Sequence, residues 1–499
     1  MDNTTIDQIT KSNTTGNNDS EASTIKSTTG SGTPDGDKDY CINTKGLSTK
    51  TIYQFESSAF KDQNITEHDI MRMVVCLQGL INRDFEKNQI AVYLNTTASD
   101  PFWLSYISGS GKLLNGFKTV KITSLNDILS TFKNQLINTG MISWDQDVPS
   151  TANVASTICG LDGYIPVKYD TGSASLYNKL KQLGVPEKMS LVGKFSGKGT
   201  IPDTKIKSSG SKKCDAYLWA LEKYMKRCST RYIAYTPDGA GCVPTSVTGK
   251  LPDAQTASGN SIPNHDYLIA RRCFFFDVTC TDSEAPCDDP NQPLGTDRAT
   301  LQKIFKKRYD LSGGSIGQLI GFPPWWIKYT THLNQGSIKG TVLEWNFAEF
   351  ATAYNLVKEA DAAQPCSMTN ASIYYKYKMK SSYKNSSPGK KMTFDKTKRY
   401  FTIYMGDYDS SAWMKYHIPN FWKDPQRGKI PLMWSFNPNL SERVPMIFDY
   451  VYENKSSNDY FAAGEGAGYA GGILSAGMDG IRMAEAVARA LADLPPAPL

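Results

Sequence analysis

Short apolar runs of strand length alternate with longer stretches of helical period along most of this chain, and that alternation restricts the fold more than any other feature. Met71, Val74, Val75, Leu77, Leu80 and Ile81 recur on one helical face, and the apolar run 90–94 follows as a strand. The same reasoning predicts helices over 127–136, 177–183 and 214–227, with strands at 142–144 and 232–235. Further on, the run Cys273-Phe-Phe-Phe within 267–279 reads as a buried strand that feeds the acidic segment Asp282-Ser-Glu-Ala-Pro-Cys-Asp-Asp. Arg399-Tyr-Phe-Thr-Ile-Tyr-Met repeats this arrangement and runs straight into Gly406-Asp-Tyr-Asp. Helical patterns at 298–309 and 347–362 and a strand at 430–434 complete the series. Strands alternating with helices form parallel sheets with helices on their faces. The expectation is therefore α/β: several small N-terminal α/β subdomains, then a parallel (β/α) C-terminal domain, a barrel being one form it can take.

Composition draws the boundaries. Residues 1–45 are Thr, Ser, Asn, Gly and Asp with almost no large apolar side chains, and a segment that buries so little cannot offset the entropy of ordering. They are expected to be a disordered low-complexity tail. A first α/β subdomain is expected over 46–150 and a second over 151–264, closed by the turn-rich stretch 236–264. The C-terminal domain is then expected over 265–470, with a Gly-rich and helical tail at 471–499. A net charge of +6 spread over 499 residues gives no nucleic-acid footprint, so no nucleic-acid partner is expected. No run of about 18 apolar residues predicts a membrane span, and no apolar signal core lies near Met1. The sequons at Asn64, Asn95, Asn370 and Asn385 would nonetheless suit a secreted protein. Ten scattered cysteines show no CxxC pair or Cys/His spacing, which argues against a metal site. Cys273, Cys280 and Cys287 recur every seven residues, as a loop disulfide or as free thiols.

Several longer segments resemble one known family. Cys76-Leu-Gln-Gly-Leu-Ile-Asn-Arg-Asp, Asp288-Asp-Pro-Asn-Gln-Pro-Leu-Gly-Thr-Asp, Gly321-Phe-Pro-Pro-Trp, Tyr404-Met-Gly-Asp-Tyr-Asp, Trp422-Lys-Asp-Pro-Gln-Arg-Gly, Trp434-Ser-Phe-Asn-Pro, Asp459-Tyr-Phe and Gly466-Ala-Gly-Tyr follow in order. Together, over about residues 50–470, they resemble the GxGYxYP family of glycoside-hydrolase-like proteins. The resemblance implies small N-terminal α/β domains, a glycosidase-like C-terminal domain and a carbohydrate substrate. At the signature itself Gly466, Gly468 and Tyr469 match, but Gly471 and Gly472 stand where the family has Tyr and Pro, so the C-terminal domain is expected to be incomplete. From Gly464 the glycine-rich sequence resembles instead the C-terminal flavin-contacting segment of FAD-dependent dehydrogenases. No upstream GxGxxG between a strand and a helix supplies a nucleotide site, and no cofactor is expected.

Glycoside hydrolysis needs two carboxyl groups, one protonated and one ionised. Asp407 and Asp409 follow an apolar strand, where α/β folds place reactive groups, with turn or capping roles as the alternative. Glu344 interrupts the apolar run Val342-Leu-Glu-Trp, where a carboxyl is either partnered or raised in pKa. Asp277 is the fourth catalytic candidate. Asp288 and Asp289 are substrate-binding candidates, or else organise a loop or a cation site. Trp325, Trp326, Trp413 and Trp434 are candidate sugar platforms, Trp325 and Trp326 foremost because the preceding prolines extend the loop, and Tyr469 of the signature joins them. His417, eight residues after Asp409, reads as a surface histidine, and the absence of GxSxG disfavours a serine hydrolase. A non-catalytic carbohydrate-binding protein, an inactive truncated or fused homologue and, more remotely, an FAD-binding oxidoreductase are the competing readings.

Overall fold

The computed structural model describes residues 40–236, 262, 264–283, 285–286, 289, 291–321, 343–359, 368–384, 397, 399, 403–405, 411–436 and 440–462. Thirteen strands among them form four sheets in which every pairing is parallel. The first holds β1 (Thr51–Glu56), β2 (Ile90–Asn95) and β3 (Lys118–Ile122), and the second β4 (Met141–Trp144), β5 (Ile165–Lys168) and β6 (Glu187–Ser190). In both, the first strand is central, with the second on one side and the third on the other. The third sheet repeats this winding and adds a strand: β7 (Tyr232–Tyr235) lies between β8 (Phe274–Phe276) and β9 (Gly317–Ile320), and β10 (Leu356–Glu359) pairs outside β9. The last has β11 (Tyr404–Met405), β12 (Leu432–Ser435) and β13 (Asp459–Ala462) in simple order. The chain is thus mixed α/β with parallel sheets. Among the described residues there is no closed barrel.

Burial explains which strands read clearly. β2, β4, β7 and β8 are buried almost throughout, as strands covered by helices on both faces must be. β3 and β6 lie at sheet edges and are largely exposed, and β3 carries Lys118 and Lys121, charges suited to an unpaired edge. The helix Glu67–Arg83 starts where Thr66 accepts a hydrogen bond from the Asp69 amide and buries most of its length beneath the first sheet.

Three elements differ from expectation. The helix predicted over 127–136 is two helices, Leu125–Thr131 and Lys133–Thr139, interrupted at Phe132. The fully buried Phe132 ring packs 5.3 Å from Tyr53 and 5.6 Å from Phe55, and reaching that site takes its backbone out of helical geometry. The helix predicted over 347–362 is Leu343–Thr352 followed by β10, because Asn355 turns with φ of 54° and Leu356 to Glu359 then pair with β9. Within 267–279, the helix His265–Ala270 precedes the expected strand. The turn-rich stretch 236–264 links two paired strands, since β7 before it bonds to β8 after it.

A buried polar network closes the C-terminal end of β2. Asn370, with φ of 65° and no exposure, donates from Nδ2 to the Leu94 carbonyl and accepts from the Leu94 amide at 2.6 Å. Its sequon is thus a structural element whose amide is already used. Beside it the Lys415 ammonium lies 2.6 Å from Asp100, both side chains wholly buried, with Thr369 donating to the same carboxylate oxygen. Cys273 and Cys280 are free thiols, and Cys287 lies outside the described residues. No helix among the described residues is long and apolar enough to cross a membrane.

Candidate functional site

In a parallel sheet wound in both directions from its first strand, the crevice opens at the carboxyl ends of the strands where the winding reverses. In the β7–β10 sheet that point lies between β7 and β9. Gly321, immediately after β9, has φ of 109°, and a Cβ there would stand 2.0 Å from the Tyr235 carbonyl oxygen. Only glycine lets the two strand ends come this close.

Asp277 immediately follows β8, which pairs with β7 on the side away from β9, and is 3% exposed. Tyr217, from the helix Lys212–Tyr224, donates its hydroxyl proton to Asp277 Oδ1 at 2.6 Å. Asn153, from the helix Ser150–Asp162, donates to the Tyr217 hydroxyl at 3.0 Å and to the Thr236 carbonyl at 3.0 Å. Thr236, just after β7, donates its hydroxyl to Asn153 Oδ1 at 2.9 Å and its amide to the Phe276 carbonyl. Two helices and two strands thus converge on one carboxyl group. The donors form one aligned chain, Thr236 to Asn153 to Tyr217, that ends on the Asp277 carboxyl and fixes its orientation.

One helical turn before Tyr217, Lys213 pairs with Asp297 at 2.9 Å, and Gln292 donates to the other oxygen of the same carboxylate. Cys214 also contacts Asp297, and burial first, then that carboxylate, pushes its thiol well above the usual range. Ser211 caps the helix by accepting from the Cys214 amide and donates to Asp289. Asp289 is therefore engaged at a helix start. Asp288 lies outside the described residues.

At the other side of the sheet, Glu359 ends β10 and is 1% exposed. Ser411 donates to it at 3.4 Å and the buried Arg443 guanidinium lies 3.9 Å away. Ser411 opens the helix Ser411–Lys423, which follows Asp407 and Asp409 in the chain. Sequence reasoning missed Glu359 by running a helix through it. Its signal is the short apolar pair Leu356-Val after Asn355, ending in a carboxylate.

Of the expected platforms, Trp413 is half-buried and stacks on His417 at 4.1 Å, which in turn stacks on Phe421 at 5.6 Å, one ladder along a helix face. Burial lowers the pKa of His417 from the ordinary histidine value. Trp434 is 2% exposed, packs 4.8 Å from Trp422 and donates its indole N–H to Asp459 at 2.9 Å. A ring so enclosed has no face open to a sugar, so Trp434 is a core residue here. Glu344 falls in the first turn of the helix Leu343–Thr352. Asp407, Asp409, Trp325, Trp326 and Tyr469 lie outside the described residues; in the chain Asp407 and Asp409 follow β11, Trp325 and Trp326 follow β9, and Tyr469 follows β13.

Two family models match. The GxGYxYP_N second domain covers residues 138–228, a span that contains Asn153 and Tyr217. The second match, described as the GxGYxYP putative glycoside hydrolase C-terminal domain, covers 397–471 and contains Asp407 and Asp409. The chain carries two GxGYxYP domains. These domains therefore flank the β7–β10 sheet in sequence, and helices of the first supply two of the groups around Asp277. Among solved structures the chain is similar in fold to one described as a putative hydrolase from Bacteroides thetaiotaomicron VPI-5482, with a TM-score of 0.55 and 16% identity. That likeness covers 85% of this chain and 64% of the other, so the chain spans less than two thirds of that protein's length. No curated protein matches.

Proposed function

We propose that this GxGYxYP protein hydrolyses glycosidic bonds of an oligo- or polysaccharide with two carboxyl groups at the carboxyl ends of its parallel strands. The observation that carries the reading is Asp277, a buried carboxylate at the carboxyl end of β8, next to the strand β7 that borders the crevice, aimed by Tyr217 at 2.6 Å. A hydroxyl donating to the carboxylate favours its charged form, so Asp277 takes the part of the ionised base or nucleophile. The acid is then Asp407 or Asp409, with Glu344 as the alternative. One carboxylic acid protonates the leaving oxygen while the other attacks the anomeric carbon or activates water, at separations of about 5 to 9.5 Å. Trp325, Trp326 and Trp413 are proposed to stack on sugar faces, and Tyr469 and Asp288 to contact substrate. The domain names support hydrolysis of sugars.

The test is reducing-sugar release from a panel of polysaccharides by the purified chain, with Asp277→Asn and Asp407→Asn beside it. Turnover on at least one glycan, lowered about 100-fold or more in a folded Asp277→Asn variant, is expected. Turnover undiminished in that variant overturns the role of Asp277.

A further inference from the structure

The Lys415 and Asp100 side chains meet at 2.6 Å with no solvent exposure on either, and they lie 315 residues apart in the chain. Asp100 opens the helix Asp100–Ile107 after β2, and Lys415 comes from the helix Ser411–Lys423 after β11. The surroundings are equally closed. Trp103 donates its indole N–H to the Lys415 carbonyl at 2.7 Å, and the Tyr93 hydroxyl donates to the Asp100 carbonyl and meets the Tyr374 hydroxyl, each at 2.6 Å. All three rings are fully buried. Taking two charges out of water is costly, and a covalent bond between these two groups would remove both charges from the site.

The two oxygens of Asp100 are held differently. Oδ2 accepts from the backbone amides of Thr96 at 3.0 Å and Thr97 at 2.6 Å, the two-donor arrangement that stabilises an oxyanion in acyl transfer. Oδ1 accepts from Lys415 Nζ, from the Thr369 hydroxyl at 2.6 Å and from Asn370 Nδ2 at 3.3 Å. The Thr369 hydroxyl in turn accepts from Nζ, so it bridges the amine and the oxygen that would leave. Thr97 Oγ1 is a further acceptor beside Nζ, at 3.4 Å. At an ordinary hydrogen-bond angle, Nζ then stands about 3.4 Å from the Asp100 carboxyl carbon, within the roughly 3 to 3.5 Å of a near-attack arrangement.

We propose that Lys415 and Asp100 condense to an intramolecular amide, a covalent link between the helix after β2 and the helix after β11. The Nζ–Cγ bond forms and the Cγ–Oδ1 bond breaks. Two of the three ammonium protons pass to Oδ1, one of them through the Thr369 hydroxyl, and that oxygen leaves as water while Oδ2 remains as the amide carbonyl. Nothing is oxidised or reduced, and no co-reactant is needed. Free amines and carboxylates do not condense in water, but effective concentrations of about 10⁵ to 10⁸ M for aligned groups offset that balance. The link is independent of the hydrolysis proposed above.

Tryptic digestion of the denatured full chain, read by mass spectrometry, tests it. Residues 88–112, which carry Asp100, and 400–423, which carry Lys415, are expected as one linked peptide, lighter than the sum of the two by the mass of one water and uncut after Lys415. Lys415→Arg keeps a cation beside Asp100 but presents a guanidinium that does not condense. It should release 88–112 as a free peptide and run more slowly in a denaturing gel, where the wild-type link closes a loop of the chain. The wild-type digest decides the matter even if that variant does not fold. Cleavage after Lys415 with 88–112 recovered free would leave a plain ion pair and overturn the proposal. A link from Lys415 to the peptide that holds Asn370, with loss of ammonia in place of water, would overturn it too.

Discussion

Asp266 sits on the helix His265–Ala270 with no solvent exposure, and its Oδ1 has no hydrogen-bond partner among the described residues. Burial dominates its behaviour: although the Ser372 amide donates to Oδ2 at 2.8 Å and Arg443 acts at longer range, its pKa is pushed up to about 6 from 3.8. A carboxyl whose folded pKa is raised stabilises the fold below its unfolded pKa, and that contribution is lost as pH rises through the folded value. At about 1.36 kcal/mol per unit, the full swing is about 3 kcal/mol, of which about 1.4 kcal/mol falls between pH 5 and pH 8. Asp266→Asn keeps an acceptor for the Ser372 amide and cannot ionise. Urea unfolding of both proteins at pH 5, 6, 7 and 8 isolates the effect, because every other titrating group is common to the two. The variant should gain on the wild type by about 1.4 kcal/mol from pH 5 to pH 8. Parallel stability curves would show that Asp266 is hydrated or paired in the folded chain and would refute the reasoning.

Two further substitutions test the packing around the sites. Lys415→Met should cost about 3 to 5 kcal/mol by leaving the Asp100 charge buried and unpaired, and Lys415→Met with Asp100→Asn, which removes the charge but keeps an acceptor oxygen for the Thr96 and Thr97 amides, should recover part of that in denaturant titrations. Gly321→Ala should shift thermal unfolding sharply downward, since the new methyl would meet the Tyr235 carbonyl at 2.0 Å at a positive φ; an unchanged midpoint would show that β7 and β9 part easily.

The parts of the fold that read directly from sequence were those where burial and composition agree. β2, β7 and β8 are buried through their length and so appear as apolar runs. β6, Glu187-Lys-Met-Ser, is an exposed edge strand whose polar residues hide it. The helix Ser150–Asp162 is buried through Leu161 and carries Asn153, Ser156 and Thr157 inside, so it has no polar face to give a helical period. That helix supplies Asn153 to the Asp277 network, which is why the network was only half visible. Asp277 itself was legible as a carboxylate ending an apolar run. Its partner Tyr217 was not, because the two are brought together by packing across 60 residues of chain. Asn370 shows the reverse failure: a local motif suggested an exposed glycan site, while tertiary hydrogen bonds to β2 decide its environment.

The central claim, that Asp277 is an ionised reacting carboxylate held by Tyr217, is tested most directly by the pH profile of sugar release for wild type, Tyr217→Phe and Asp277→Asn, each checked for folding by thermal unfolding. The account predicts that Asp277→Asn abolishes turnover and that Tyr217→Phe moves the acidic limb of kcat/KM to higher pH, because the carboxylate loses a donor that favours its charge. A Tyr217→Phe profile superimposable on wild type, or full turnover in Asp277→Asn, would contradict it.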